Sequence, residues 1–304
     1  MNHSPLELQI RPLIEAALRE DIRSGDVTTQ ALIPPDATAR AALVFREPGV
    51  LCGLNVARMV FESLNEPLCF EEVLTGEDFA DGDWEESDAP RPVFVDGKNI
   101  SCVRQPVLNI WGNARDILTG ERVALNFMQR LSGIATLTRQ FVDAVEGTGA
   151  RIADTRKTTP GLRLLEKYAV RCGGGSNHRF ALDDMILIKD NHIALCGGIE
   201  QAIQRAKENI GHSLKIEVEC DTLEQVEKAA RAGADIILLD NMKPDDLKRA
   251  VEIIDKRALS EASGGVNLQT VRAIAESGVD IISVGALTHG ARSLDIGLDI
   301  EMQN

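Results

Sequence analysis

Between Asp154 and His192 the chain reads DTRKTTPGLRLLEKYAVRCGGGSNHRFALDDMILIKDNH, and it gathers Arg156, Lys157, Arg163, Arg171, His178, Arg179, Lys189 and His192 in a protein whose formal charge is -14. A cluster of cations set among glycines against an acidic background suits a pocket for a strongly anionic ligand. Solvated helix charges are the plainer account, and they suffice for Arg163, Lys167 and Arg171. They do not suffice for Arg156-Lys157 or Lys189, which directly follow the short apolar runs 151–153 and 185–188, where a strand ends and a side chain enters a cleft. Ligands of α/β folds bind at such carboxyl ends.

Carboxylates stand at matching places. In Ile216-Glu217-Val218-Glu219-Cys220 strand alternation puts both glutamates on one face. An inward glutamate is costly without a partner. Glu219 lies near the end of its run and Asp240 at the end of the next, so the two can bind sugar hydroxyls or a hydrated Mg²⁺, or stabilise a developing positive charge. For Glu217, simple pairing with an interior cation such as Lys189 is an equal alternative. Ser263-Gly264-Gly265 and Gly285-Ala286 close the last two runs, where backbone N–H groups free of side chains can hold a phosphate, with turn chemistry as the alternative.

The elements that must position these residues follow from periodicity. Residues Pro5 to Glu20 carry helical spacing, Ala39 to Leu51 reads as a strand ended by Pro48-Gly49, and Asn55 to Asn65 as a helix. Thr75 to Pro106, rich in acids and prolines, reads as short strands joined by loops. A long apolar helix is expected from Gly120-Glu121, with a break at Ser132-Gly133. After Gly149, strand runs near 151–153, 185–189, 215–220, 235–240, 258–262 and 280–285 alternate with helices at 200–209, 223–232, 245–254 and 268–277. Strand and helix in alternation imply βαβ units on a parallel sheet. Six or seven such units either close a barrel or stay open. The barrel is favoured, because no G-x-G-x-x-G follows the first strand and glycines end the last two.

With 304 residues, two domains are expected at about 150 residues each. Hydrophobic content of 44% supports a real core, built on aliphatic side chains because aromatics are only 4%. The acidic balance argues against a nucleic-acid surface, which needs an extended basic face. No run reaches the length of a membrane span and the N-terminus lacks a signal-peptide pattern, so no membrane partner and a cytoplasmic location are expected. Cys52, Cys69, Cys102, Cys172, Cys196 and Cys220 are dispersed without metal spacing and read as reduced thiols.

The segments ERVALNFMQRLSGIAT (121–136), DTRKTTPGLR (154–163), KYAVRCGGGSNHR (167–179), LIKDNH (187–192), LLDNM (238–242), EASGG (261–265) and VGALTH (284–289), with DIRSGDVTT (21–29), resemble those of quinolinate phosphoribosyltransferase in their order along nearly the whole chain. The resemblance implies an α/β protein with an N-terminal α/β sandwich domain and an incomplete, roughly seven-stranded TIM-like α/β barrel. The boundaries it suggests are 1–120 and 121–287, with 288–304 packing back on the first domain. It implies that quinolinate and 5-phosphoribosyl 1-diphosphate give nicotinate mononucleotide, diphosphate and CO₂, with Mg²⁺, in a homodimer or larger homo-oligomer of NAD biosynthesis.

By the same resemblance Arg156, His178, Arg179 and Lys189, with Thr155, match the pyridine dicarboxylate pocket. Lys157 is shared between the substrates, and Arg122 matches an arginine donated across a subunit interface. Glu219 and Asp240 match the ribose and metal-diphosphate ligands, and with Lys157 and Lys189 they carry the chemistry. Ser263-Gly264-Gly265 and Ser283-Val284-Gly285 match the 5-phosphate cradle. The stretch 82–112 departs from the pattern in being longer and more acidic. Two other readings stand beside this one: a same-scaffold enzyme for another pyridine acid such as nicotinate, and a non-catalytic metabolite-binding subunit.

Overall fold

The computed structural model of the chain describes residues 5–73, 96–101 and 104–301. The short strands expected between Thr75 and Val95, most of the acidic stretch 82–112, and Cys102 lie outside the described residues. The chain divides into two compact units, residues 1–136 with 291–304, and residues 137–290.

The first unit opens with α1 (Pro5–Ile22), which buries Ile10, Ile14 and Leu18 at a spacing of four. The short α2 (Val27–Leu32) follows, its first turn capped by Asp26 accepting from the Thr29 N–H at 2.9 Å. Next come β1 (Thr38–Phe45), β2 (Gly49–Val50), α3 (Leu54–Glu62), β3 (Cys69–Glu72), β4 (Asn99–Ile100), β5 (Gln105–Asn113) and α4 (Ala114–Ala144). In β1 the alternate residues Ala41, Leu43 and Phe45 are fully buried, and α3 buries Val56, Met59 and Val60.

Helix α4 differs from expectation at both points that sequence had marked. It begins before Gly120, because Asn113 Oδ1 accepts from the N–H groups of Arg115 and Asp116 at 2.9 and 3.2 Å and so supplies the cap. It also runs unbroken through Ser132-Gly133. Ser132 Oγ exchanges two hydrogen bonds of 3.0 Å with the Cys52 backbone, and a Cβ on Gly133 would stand 1.9 Å from the Arg292 carbonyl oxygen. The pair serves close backbone packing, not a helix end. A boundary at residue 120 falls inside this helix, and the division between the units comes at 136/137.

The second unit continues with β6 (Arg151–Ala153), α5 (Arg163–Cys172), β7 (Ile186–Ile188), α6 (Asp190–Cys196), α7 (Ile199–Asn209), β8 (Ile216–Cys220), α8 (Leu223–Ala232), β9 (Ile236–Asp240), α9 (Pro244–Ile254), β10 (Leu259–Ser263), α10 (Val271–Ala275), β11 (Ile281–Ser283) and α11 (Ala286–His289). Six strands form one sheet in the order β6-β11-β10-β9-β8-β7, and every pair in it is parallel. The first strand pairs with the last, which is the signature of a sheet wrapping into a barrel. Between β6 and β7 stands a single parallel bridge, Ala153 to Ser176, so the sheet has six strands against the roughly seven that the resemblance implies. The ladder stops there because the N–H of His178 is spent on the Asp154 carboxylate at 2.8 Å and not on a neighbouring strand. The amphipathic helices cover the outside; α8 buries Val226 and Ala229, and α9 buries Leu247 and Ala250.

The chain then returns to the first unit, where β12 (Ile296–Glu301) pairs antiparallel with β1, Phe45 opposite Ile296. The resulting antiparallel sheet has the order β12-β1-β5-β3. No helix among the described residues is long and apolar enough to cross a membrane.

Candidate active site

Parallel strands deliver their last residues to one mouth, and the candidate residues of the second unit sit there. Asp154 to Lys157 follow β6, Lys189 follows β7, Glu219 is the penultimate residue of β8, Asp240 the last of β9, Ser263 the last of β10 and Ser283 the last of β11. Register links them: Ser263 lies opposite Asp240, and Ser283 opposite Ala153. His178 and Arg179 come from the segment after the Ser176 bridge.

The cationic side is built around Arg156 and Arg179. Both are half-buried, and the Nε of each is buried without a hydrogen-bond partner. Arg179 donates from Nη1 to the Met185 carbonyl at 3.0 Å. Burial and then the adjacent charge of Arg156 pull the Arg179 pKa down. Two guanidinium groups therefore stand close enough to repel, which a bound dianion would relieve. Lys157 is exposed; its carbonyl accepts from Thr288 Oγ1 at 2.8 Å, and its Cδ would lie 2.9 Å from a Cβ placed on Gly285. VGALTH thereby holds Lys157 beside the second glycine turn. The Thr155 hydroxyl turns back to accept from the Lys157 N–H at 3.0 Å.

On the acidic side, Lys189 Nζ donates to Glu219 Oε2 at 2.6 Å, so of the two β8 glutamates it is Glu219 that takes this lysine. Asp240 Oδ2 accepts from Asn241 Nδ2 at 2.6 Å. Burial, and next the charge of Glu219, raise the Asp240 pKa. The other glutamate, Glu217, is wholly buried and meets His178 Nε2 at 3.2 Å, with the buried Glu261 at 3.4 Å from the same nitrogen. Burial opposes a charged ring, but the two glutamates prevail and lift the His178 pKa to about 10. On the ring's other side the Arg179 amide nitrogen lies 2.7 Å from Nδ1. Burial raises the Glu217 pKa, against the pull of His178.

Lys167, which sequence placed among solvated helix charges, is instead fully buried and ion-paired with the equally buried Asp154. On α5 it stands one turn before the buried Val170, opposite the face that buries Leu165 and Ala169, so the polar letter conceals a core position on a helix buried on more than one side.

Residues 134–299 match the family described as quinolinate phosphoribosyl transferase, C-terminal domain, and residues 26–132 match its N-terminal domain. The chain is 41% identical over 304 residues to the probable nicotinate-nucleotide pyrophosphorylase [carboxylating] of Bacillus subtilis, covering 100% of this chain and 96% of that one. It is 43% identical over 294 residues to the nicotinate-nucleotide pyrophosphorylase [carboxylating] of Mycobacterium leprae, covering 95% and 96%. The crystal structure of NadC from Streptococcus pyogenes superposes with a TM-score of 0.87 at 40% identity, covering 99% of this chain and 100% of that chain.

The chain belongs to the quinolinate phosphoribosyltransferase family. In the second unit Thr155, Arg156, Lys157, Lys189, Glu219, Asp240 and the turns at Ser263-Gly264-Gly265 and Ser283-Val284-Gly285 stand at the strand ends, whereas His178 and Arg179 line a cavity with Met185, Lys215 and Glu261. Arg122 belongs to the first unit, exposed on α4. Sequence reasoning missed Asp154, Lys167, Asn177 and Glu261. A signal existed for Glu261, which lies opposite Leu238 as Glu219 does and so shares the inward phase of the β8 glutamates.

Proposed function

We propose that the protein transfers the phosphoribosyl group of 5-phosphoribosyl 1-diphosphate to the ring nitrogen of quinolinate, releasing diphosphate and CO₂ and leaving nicotinate mononucleotide for NAD biosynthesis. The observation that carries the reading is the Arg156 and Arg179 pair, whose buried Nε groups lack partners and whose charges oppose each other. Quinolinate offers two carboxylates to such forks, and nicotinate only one.

Departure of diphosphate leaves positive character on the ribosyl carbon, which Glu219 and Asp240 stabilise from their fixed places at the ends of β8 and β9. Lys157 neutralises the departing oxygens. The oxygen donors fit Mg²⁺, since burial and then the charge of Glu219 raise the Asp240 pKa and a hard divalent ion would relieve Asp240. Bound by these carboxylates directly or through diphosphate, the ion supplies charge neutralisation to the leaving group. The backbone N–H groups of the Ser263 and Ser283 turns hold the 5-phosphate. Once the ring nitrogen is quaternary it acts as the electron sink for loss of the adjacent carboxylate, and the protein's part is to orient and desolvate. Arg122 is supplied by the partner subunit of a homodimer or larger assembly, and the enzyme works on small molecules in the cytoplasm.

The deciding assay incubates the pure protein with 5-phosphoribosyl 1-diphosphate, Mg²⁺ and either quinolinate or nicotinate, and follows CO₂ and diphosphate. Product from nicotinate alone overturns the substrate. For the shared site, Arg122→Ala and Lys189→Ala should each be inactive and regain partial activity when mixed; no recovery removes the crossing arginine.

A further inference from the structure

We infer that Lys167, with Asp154 as its ionic partner and Asn177 as the strut between them, is the positioning residue that fixes His178 and Arg179 toward the pyridine acid. The inference takes that substrate from the activity proposed above. Lys167 Nζ donates both to the Asp154 carboxylate and to the carbonyl oxygen of His178, the latter at 2.9 Å. The same Asp154 Oδ1 accepts the His178 N–H at 2.8 Å. One ion pair therefore grips the His178 residue by its amide and by its carbonyl. Asn177 closes the frame, its Nδ2 donating to Asp154 Oδ2 at 2.6 Å and to the Lys167 carbonyl at 2.8 Å.

Three separate segments meet in this frame: the residue after β6, the middle of α5, and the segment that carries the two cations. The same helix also fixes the loop beyond Arg156-Lys157. Glu166 Oε2 accepts the Thr159 N–H at 3.1 Å, and Arg163 donates from Nε to Thr158 Oγ1 and from Nη1 to the Phe180 carbonyl, each at 3.0 Å. α5 is thus a common template for both cationic segments.

Stability alone does not ask for this arrangement. A wholly buried ion pair gains little over apolar side chains of the same volume, although breaking it is costly. Burial pushes Asp154 up and Lys167 down, each against the pull of its partner. What the pair supplies beyond an apolar contact is direction, because its hydrogen bonds admit one orientation of the His178 peptide.

The test uses the full-length protein with Lys167→Met, the neutral double variant Asp154→Asn with Lys167→Met, and Asn177→Ala, which leaves the ion pair intact. Melting temperature, kcat, KM for each substrate and equilibrium binding of quinolinate are measured. A displacement of the site by about 1 Å costs on the order of 10²-fold. Quinolinate affinity should fall by about that factor in both Lys167 variants, and by clearly more than KM for 5-phosphoribosyl 1-diphosphate rises. Asn177→Ala, short of the one amide donor that serves two acceptors, should lose about tenfold in quinolinate affinity alone.

A double variant that regains its melting temperature and binds quinolinate like the parent overturns the inference, as does equal weakening toward both substrates. Should Lys167→Met fail to fold, Asn177→Ala decides: parental melting with parental quinolinate affinity overturns the role. If the parent itself does not bind quinolinate, the activity is wrong. Hydrogen exchange at the His178 amide then tests the clamp by itself. Exchange about tenfold faster in Asn177→Ala supports it, and unchanged exchange removes it.

Discussion

Gly264 and Gly265 follow β10 side by side with φ of 93° and 61°, yet alanine should act differently at each. A Cβ on Gly264 would stand 2.2 Å from Asn241 Oδ1, 2.5 Å from its Cγ and 3.0 Å from its backbone nitrogen, whereas one on Gly265 meets nothing within 4 Å. Left-handed backbone costs a side-chain-bearing residue about 1–2 kcal/mol. Gly265→Ala should lose little more than about 1 kcal/mol, a fall in melting temperature of roughly 2–4 °C. At Gly264 overpacking adds about 1–3 kcal/mol, because Asn241 must move. A total near 3 kcal/mol lowers melting by roughly 6–12 °C. Asn241 also bonds Asp240 at 2.6 Å, so its displacement should lower kcat. The methyl of Gly265→Ala projects into the open space proposed for the 5-phosphate, so that variant should raise KM for 5-phosphoribosyl 1-diphosphate with nearly parental melting. Calorimetric melts and steady-state kinetics on the two variants give a crossed pattern. Parental melting and kcat in Gly264→Ala refute the crowding argument, and an unchanged KM in Gly265→Ala refutes the phosphate seat.

Chelation should suppress turnover and added Mg²⁺ restore it; full activity in excess EDTA removes the ion from the reaction. For His178 the folded pKa of about 10 lies above the ordinary 6.5, so its stabilisation is complete below pH 6.5 and is lost as pH rises through 10. That shift corresponds to about 5 kcal/mol if the ring alone carried it, less where the glutamates take a share. Urea melts between pH 6 and pH 10 should show the loss in the parent and not in His178→Gln, and parallel pH profiles refute it. Burial pushes the Cys220 thiol up to about 12, whereas Cys69 is exposed. Iodoacetamide at neutral pH should therefore label Cys69 in the native protein and Cys220 only after denaturation; native labelling of Cys220 contradicts its burial.

Sequence reading located the parallel strands and most of the mouth because both rest on local signals. β8 to β11 are short runs between amphipathic helices, and the inward-phase residue nearest the end of each run reaches the ligand side of an α/β sheet. What escaped depends on contacts far apart in the chain. Ser132-Gly133 has the local chemistry of a helix end, but the backbones of Cys52 and Arg292 determine that it is a packing point. Lys167 carries a charge on a strongly amphipathic helix, and only a partner thirteen residues earlier makes its burial tolerable. The same partner limits the pairing at Ser176 to a single bridge, because Asp154 takes the His178 amide that a longer ladder would use.

The charges inside the barrel make sense as a set. Asp154 cancels Lys167, Glu219 cancels Lys189, and Glu217 with Glu261 faces His178 and Arg179. Removing one member of the buried Asp154–Lys167 pair leaves an uncompensated buried charge, which costs about 3–5 kcal/mol, whereas the exposed Lys189–Glu219 pair costs less to break. At the mouth stand Arg156, Lys157 and Lys189 with Glu219 and Asp240. Those are the charges a pyridine dicarboxylate and a ribosyl cation would meet, so the buried ions serve to hold the mouth in place, and the charges of the mouth select the ligands.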